Sequence, residues 1–169
     1  MAASATLVSV EEYLRMADKP AFEFKDGTLT QKRMPTWKHS LLQLRIGELL
    51  NAIPGIVAGS ELTVEVRQGR YLVPDVAVQL RDSIQDPYPT QPLPLCVEIL
   101  SPDDRFSEVT AKCEEYHNWG VPMAWIIDPV LATAWEFPSG GRIHEVPSGA
   151  SLTASQIAIP LSELFAALG

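Results

Sequence analysis

The segment 95–102, Leu-Cys-Val-Glu-Ile-Leu-Ser-Pro, restricts the fold more than any other part of the chain. It is an apolar run of strand length between Pro94 and Pro102, and a single carboxylate, Glu98, lies in its middle. Such a run, rich in β-forming residues, predicts a strand that is covered on both faces. An ionised side chain there is costly unless a cation or strong hydrogen-bond donors meet it. We therefore expect a partner for Glu98 elsewhere in the chain.

Two other charged residues are candidates for that partner. Asp75 lies in a strand-like segment, 71–80, and Lys112 lies in the helix-like segment that follows Pro102. Each has an ordinary explanation as well. Asp75 follows Pro74 and could cap a bulge, and Lys112 stands four residues after Glu108, which is the spacing of a helix-surface ion pair.

Taken together, these residues predict a metal site. Two carboxylates on adjacent strands, Asp75 and Glu98, form a hard oxygen site suited to Mg²⁺ or Mn²⁺, and the neighbouring carbonyl of Ile99 could add a third ligand. Lys112 lies at the border of the apolar stripe of its helix, from where its ammonium could orient or deprotonate an attacking water. This set suits the hydrolysis of a phosphodiester bond.

The periodicity of the chain predicts an α/β fold with a mixed central sheet. The core order is helix, three strands, helix and strand, with a hairpin added at each end. The predicted elements are a capped helix from Ser9 to near Pro20, a hairpin turning at Asp26-Gly27, a helix over 39–53, antiparallel strands over 56–67 and 71–80 with Pro74 marking an edge or bulge, a loop over 81–94, strand 95–100, a helix from 106 to 120, a parallel strand over 123–128, a hairpin over 132–146 and a helix over 161–168.

The length and composition favour a single domain over 1–169. A chain of 169 residues with 46% hydrophobic content can bury one full core. No apolar run approaches the roughly 20 residues that cross a bilayer, and the first ten residues lack the features of a secretory signal. A cytoplasmic protein without membrane contact is therefore expected. Cys96 and Cys113 fall inside predicted regular elements, which favours two buried free thiols.

The charge is unevenly distributed. The net charge of −8 argues against nonspecific adhesion to nucleic acid. The segment 25–45, however, carries a local excess of basic residues, with only Asp26 opposing Lys25, Lys32, Arg33, Lys38 and Arg45. This segment is either a contact surface for a phosphate backbone or a solvated face that happens to be basic.

Several motifs resemble the Uma2 family of restriction-type endonucleases, within the PD-(D/E)XK nuclease superfamily. The motifs are Val-Pro-Asp at 73–75, Val-Glu-Ile-Leu-Ser-Pro at 97–102, Lys112 with Tyr116, Gly-Val-Pro at 120–122, Trp-Ile-Ile-Asp-Pro at 125–129, Phe-Glu-Phe at 22–24 with Asp26-Gly27, and His39 at the start of the long helix. Together they extend from about Ser9 to Pro129.

The resemblance implies a restriction-endonuclease-like core in which Asp75 and Glu98 match the metal-binding acids. Lys112 matches a catalytic lysine that has moved from the strand to the following helix, and Leu100 occupies the position where the wider superfamily keeps that lysine. Glu23 and His39 match family motif positions. Glu23 could be an additional acid near the metal, and His39 could contact phosphate or cap its helix.

The resemblance also implies a partner and an oligomeric state. The substrate expected from it is nucleic acid, in particular DNA, and a homodimer is expected because related nucleases pair to cut two strands. The acidic total charge favours an alternative, a catalytically silent binding or structural module with the same fold. A third alternative is a glycosidase that uses two carboxylates as acid and base. That mechanism gives no role to a lysine at this position, so the alternative is disfavoured.

Overall fold

The computed structural model describes residues 7–17 and 22–169 and shows a mixed α/β fold with the predicted mixed central sheet. The helices are α1 (Val10–Arg15), α2 (Trp37–Asn51), α3 (Phe106–Trp119) and α4 (Leu161–Phe165). The strands are β1 (Phe22–Lys25), β2 (Thr28–Gln31), β3 (Ile56–Ser60), β4 (Val64–Arg67), β5 (Arg70–Leu72), β6 (Val76–Leu80), β7 (Leu95–Ile99), β8 (Met123–Asp128), β9 (Thr133–Pro138), β10 (His144–Glu145), β11 (Ser151–Ala154) and β12 (Ile157–Pro160).

Six strands form the central sheet in the order β10-β9-β8-β7-β6-β3. The strands β7 and β8 are parallel, as their connection through α3 predicted, and the other neighbours in this sheet are antiparallel. A smaller sheet has the order β2-β1-β5-β4, and β11 pairs with β12 in a separate hairpin. The predicted arrangement of helix, three strands, helix and strand is therefore present as α2, β3, β6, β7, α3 and β8.

The two faces of β7 pack against different layers. Leu95, Val97 and Ile99 join a core formed with α2, α4 and the β11–β12 hairpin. Cys96 faces the other way, into a core formed with α3 and the small sheet. Because side chains alternate along a strand, Glu98 lies on the face of Cys96, beneath α3. Both cysteines, including Cys113, are buried and free, as expected.

Two long strands predicted from the sequence are each divided in the structure. The segment 56–67 forms β3 and β4, and the segment 71–80 contains most of β5 and all of β6; the two strands of each pair belong to different sheets. The predicted antiparallel pairing holds within each sheet, as β3 with β6 and β4 with β5. Glu61 interrupts the first segment with a left-handed φ of 53°. Pro74 occupies the crossing between β5 and β6, so its assignment to an edge or a bulge was wrong.

The ends of several other elements differ from the prediction. Ser9 and Glu12 form the expected capping box, but α1 ends at Arg15, and Pro20 lies outside the described residues. The helix α2 begins two residues earlier than predicted because the Thr36 side chain accepts a hydrogen bond from the N–H of His39. The predicted loop 81–94 contains a short 3₁₀ turn, the last helix becomes 3₁₀ after Phe165, and the β11–β12 hairpin was not predicted.

The β1–β2 hairpin turns at the two predicted residues. Asp26 and Gly27 have φ angles of 47° and 92°, which is the conformation a two-residue turn between antiparallel strands requires. Within 7–17 and 22–169, no helix has the length and apolar character needed to span a membrane.

Candidate active site

Glu98 meets both a cation and a strong donor. The Lys112 ammonium donates a hydrogen bond to Glu98 Oε2 at 2.9 Å, and the Tyr116 hydroxyl donates to Oε1 at 2.6 Å. Both partners come from α3, where their spacing of four residues places them on one face. Glu98 is 6% exposed, and the cost of burying its carboxylate is offset by a charge and two hydrogen bonds.

Lys112 uses all three of its N–H donors. Besides Glu98, its ammonium lies 2.7 Å from Glu23 Oε1 and donates to the Val73 carbonyl at 3.1 Å. Glu23, on β1 of the small sheet, also accepts a hydrogen bond from the Val73 N–H. Lys112 is thus fixed between the two sheets, and it does not form the ion pair with Glu108 that its spacing suggested.

Asp75 lies immediately before β6, beside the carboxyl end of β7. Its Oδ2 accepts a hydrogen bond from the N–H of Ile99 at 2.7 Å and lies 3.3 Å from Nε2 of His39. Its Oδ1 accepts a hydrogen bond from the Lys32 ammonium at 3.0 Å. The main-chain contact places the Asp75 carboxylate against the residue that directly follows Glu98.

Pro74 leaves one main-chain acceptor open at this position. The register of β6 and β7 pairs Val76 with Val97, so its continuation sets Pro74 opposite Ile99. In an antiparallel ladder such a pair would exchange two hydrogen bonds, but Pro74 has no N–H to donate. The Ile99 N–H bonds to Asp75 instead, and the ladder offers the Ile99 carbonyl no donor. This carbonyl is available as an oxygen ligand on the Asp75 side of the strand.

A further acid and amide complete the cluster. The Lys32 ammonium donates to Glu61 Oε2 at 2.7 Å, opposite its contact with Asp75. The Gln43 amide donates to Glu61 Oε1 and to the Asp75 carbonyl, both at 2.8 Å. The cluster, which is mostly buried, therefore joins residues from both sheets and from both long helices.

Burial and the neighbouring charges shift the pKa values of the cluster's residues in different directions. Burial raises the pKa of Glu98 to about 7, against the opposing effect of Lys112 and with a further contribution from the Asp75 charge. Burial would also raise the pKa of Asp75, but the hydrogen bond from His39 and the charges of Lys32 and Lys112 hold it well below its ordinary value. Burial alone would lower the pKa of Lys112, but the surrounding carboxylates hold this pKa above its ordinary value.

The donor set fits a divalent hard cation. Four carboxylates meet two ammonium groups, so the cluster has a formal charge of −2 when all six are ionised; the groups are those of Glu23, Glu61, Asp75, Glu98, Lys32 and Lys112. Oxygen donors and this net charge match Mg²⁺ or Mn²⁺. Among residues 7–17 and 22–169, no three histidine, cysteine or acidic side chains form a metal-binding group. The candidate ligands are instead two carboxylates and one main-chain carbonyl.

The structure brings together every residue selected from the sequence, namely Asp75, Glu98, Ile99, Lys112, Glu23 and His39. It also adds three residues that the sequence did not indicate as part of a site. Lys32 had been assigned to the basic surface, Glu61 to a continuous strand and Gln43 to an amphipathic helix. An acid beside Gly59-Ser60, residues common in turns, was the one sequence signal for Glu61.

Comparisons with known proteins identify the family and a similar fold. A family model described as "Uma2: Putative restriction endonuclease" matches residues 10–162. The chain is also similar to the crystal structure of "a putative nuclease belonging to DUF820" from Anabaena variabilis ATCC 29413. The two are 25% identical with a TM-score of 0.81, and the match covers 96% of this chain and 99% of the other. No curated protein sequence matches the chain.

Proposed function

Because the chain belongs to the Uma2 family, we propose that it is a metal-dependent nuclease that hydrolyses phosphodiester bonds in DNA. The observation that carries this proposal is the convergence of Asp75, Glu98 and Lys112 at the carboxyl end of β7, beside the open carbonyl of Ile99. Carboxylate and carbonyl oxygens next to a fixed ammonium suit the stabilisation of a phosphate that gains charge during hydrolysis.

Each residue has a proposed role. Asp75, Glu98 and the Ile99 carbonyl would hold Mg²⁺ or Mn²⁺, which supplies charge neutralisation at the phosphate and a more acidic water. Lys112 keeps its proton at neutral pH because the acids around it raise its pKa. We therefore exclude it as the group that removes the proton from the attacking water, and because its three donors bind Glu98, Glu23 and the Val73 carbonyl, we assign it to holding Glu98 in position at the ion. Glu23 holds the Lys112 ammonium in position.

His39 has a positioning role in this proposal. Its main-chain N–H donates to the Thr36 side chain, which fixes the first turn of α2, and its Nε2 reaches Asp75 Oδ2. An N–H at Nε2 would donate to this carboxylate oxygen and leave Oδ1 to face the ion. His39 is buried, at 4% exposed, so direct contact with a phosphate is the less favoured role.

The test is a cleavage assay on supercoiled plasmid with Mg²⁺ or Mn²⁺, alongside an RNA substrate. We expect metal-dependent nicking or linearisation of DNA and no cleavage in EDTA. Binding of Mn²⁺ without cleavage of any nucleic acid would instead support the catalytically silent module, for which the net charge of −8 is the motivation.

The raised pKa of Glu98 predicts how stability depends on pH in EDTA. The folded protein loses this proton near pH 7 and the unfolded chain near 4.5. Between these values the folded state binds more protons, so this group lowers the unfolding free energy as pH rises, by at most about 1.4 kcal/mol per pH unit. In urea unfolding, the stability of Glu98→Gln relative to wild type should therefore be greater at pH 8 than at pH 5. If the unfolding free energies of wild type and Glu98→Gln change equally between pH 5 and pH 8, the prediction is contradicted. Glu114→Gln, at an exposed position on α3, is the control and should follow wild type.

Substituting Pro74 tests the open carbonyl. In Pro74→Ala the new N–H can donate to the Ile99 carbonyl and extend the β6–β7 ladder by one pair. We expect Mn²⁺ affinity, measured by calorimetry, to fall by about 10–100-fold, the effect typical of disturbing groups around a metal. Pro89→Ala removes another buried proline away from the site and should leave the affinity unchanged. Equal affinity in both variants would refute a ligand role for this carbonyl.

We further propose that the protein acts as a homodimer, since related nucleases often pair to cut two strands. Trp37 and Leu44, seven residues apart on α2, are 78% and 64% exposed. Beside them a groove of about 470 Å³ lies between α2 and the edge strand β3. Large exposed apolar side chains beside a groove are typical of interfaces. Sedimentation equilibrium should give a dimer for wild type and for Leu131→Glu, and a monomer for Trp37→Glu; a monomeric wild type would refute the proposal.

A further inference from the structure

Lys32 has no role in the proposed function, although it lies inside the site. Its ammonium bridges Glu61 Oε2 at 2.7 Å and Asp75 Oδ1 at 3.0 Å, and its side chain is only 16% exposed. A lysine that serves only to contact a nucleic-acid backbone would extend from the surface. This one is directed inward, to a proposed metal ligand.

The ammonium covers the oxygen of Asp75 that an ion needs. Asp75 Oδ2 is already engaged by the Ile99 N–H and lies near His39. Oδ1 is the oxygen left for a cation, and Lys32 occupies it. A divalent ion binds a carboxylate oxygen at about 2.1 Å and repels a neighbouring ammonium, so the two positive groups compete for the same oxygen.

Glu61 offers the ammonium a second position. The Glu61 side chain is 36% exposed and so is partly open to solvent, and the Gln43 amide donates to its other carboxylate oxygen. The main chain at Glu61 has a left-handed φ of 53°, an unfavourable conformation for a residue with a side chain, and its N–H bonds to the Asp75 carbonyl. These contacts fix Glu61 on the side of Lys32 opposite Asp75.

We propose that Lys32 is a resident counter-ion of the metal site, whose ammonium neutralises Asp75 in the metal-free protein and withdraws to Glu61 when a divalent ion binds. The inference rests on the proposed function only in that it takes Asp75 as a ligand. Under this proposal, the affinity for the metal depends on competition between the Lys32 ammonium and the ion for Asp75 Oδ1. Glu61 acts here as a positioning residue for Lys32 and does not bind the ion itself.

The test measures Mn²⁺ affinity from the electron paramagnetic resonance signal of free Mn²⁺. Lys32→Met removes the competitor and should tighten binding by about tenfold, as expected for the loss of one adjacent positive charge. Lys32→Arg keeps the charge and should stay near wild type. Lys38→Met removes an exposed lysine of the same segment and should also leave the affinity unchanged.

Glu61 is tested by a double-mutant cycle. Glu61→Gln removes the second position of the ammonium and should weaken Mn²⁺ binding several-fold. In the Lys32→Met background the same change should have no effect, because no ammonium remains to be held. If Glu61→Gln weakens binding equally in both backgrounds, Glu61 is a ligand and its assigned role is overturned.

Three further outcomes separate this inference from the proposed function. Unchanged or weaker Mn²⁺ binding by Lys32→Met, with a cooperative thermal transition in EDTA, overturns the counter-ion role alone. Absence of Mn²⁺ binding by both wild type and Lys32→Met overturns the metal site itself. Binding by Lys32→Met but not by wild type supports the competition in its strongest form. If Lys32→Met does not fold, Lys32→Gln takes its place in the same measurements.

Discussion

Glu98→Gln is expected to abolish cleavage while leaving the fold intact. The amide keeps the shape of the side chain and can still accept the hydrogen bond from Tyr116. It removes the charge through which Glu98 would hold the proposed ion, and a bound divalent metal would contribute several kcal/mol of transition-state stabilisation. We therefore expect the rate of plasmid cleavage to fall by about 10³-fold or more.

Two measurements make this result interpretable. Glu114→Gln changes an exposed acid on α3 and should cleave at the wild-type rate. Thermal unfolding of Glu98→Gln in EDTA should occur at or above the wild-type temperature at pH 8, because a buried negative charge has been removed. Cleavage that survives Glu98→Gln would show that the activity belongs to another site or to a contaminating enzyme.

Lys112→Met is expected to have the largest effect on stability. The substitution leaves Glu23 and Glu98 buried without their shared cation. Removing one partner of a buried ion pair typically costs about 3–5 kcal/mol, because the remaining charge is uncompensated. Urea unfolding in EDTA should show a loss of this size, and cleavage should be lost as well.

Two variants separate the charge of Lys112 from its packing. Lys112→Arg keeps the positive charge and should retain most of the stability. The double variant Lys112→Met with Glu98→Gln removes the cation together with one of its carboxylates, so it should recover part of the lost free energy. A loss below about 1 kcal/mol for Lys112→Met would show that water reaches these carboxylates freely.

The sequence predicted the central sheet and the position of Glu98 because both depend on the burial of individual side chains. An acid in an apolar strand requires a partner wherever the strand packs, and Lys112 at the border of the apolar face of a helix is a partner of the right charge. The parallel pairing of β7 and β8 followed in the same way from the helix that connects them.

The sequence did not indicate Lys32 and Glu61 as site residues, since their environment depends on where a strand changes sheets. The alternation of apolar residues such as Leu62, Val64 and Val66 indicates which face of a strand is buried. It does not indicate which sheet the strand belongs to. The segment 56–67 therefore resembled one strand, with Glu61 on its solvent side. Lys32 lies in a basic segment and was assigned to its surface, whereas in the structure it is turned inward to Asp75.

The charged groups of the cluster come from segments that are far apart along the chain, from Glu23 on β1 to Lys112 on α3. A ribosome-bound chain that has not yet released α3 lacks the ammonium that contacts Glu23 and Glu98, so the cluster is incomplete until that helix docks. In the proposed nuclease, this order of assembly would keep the unfinished polypeptide inactive towards nucleic acid until α3 has folded.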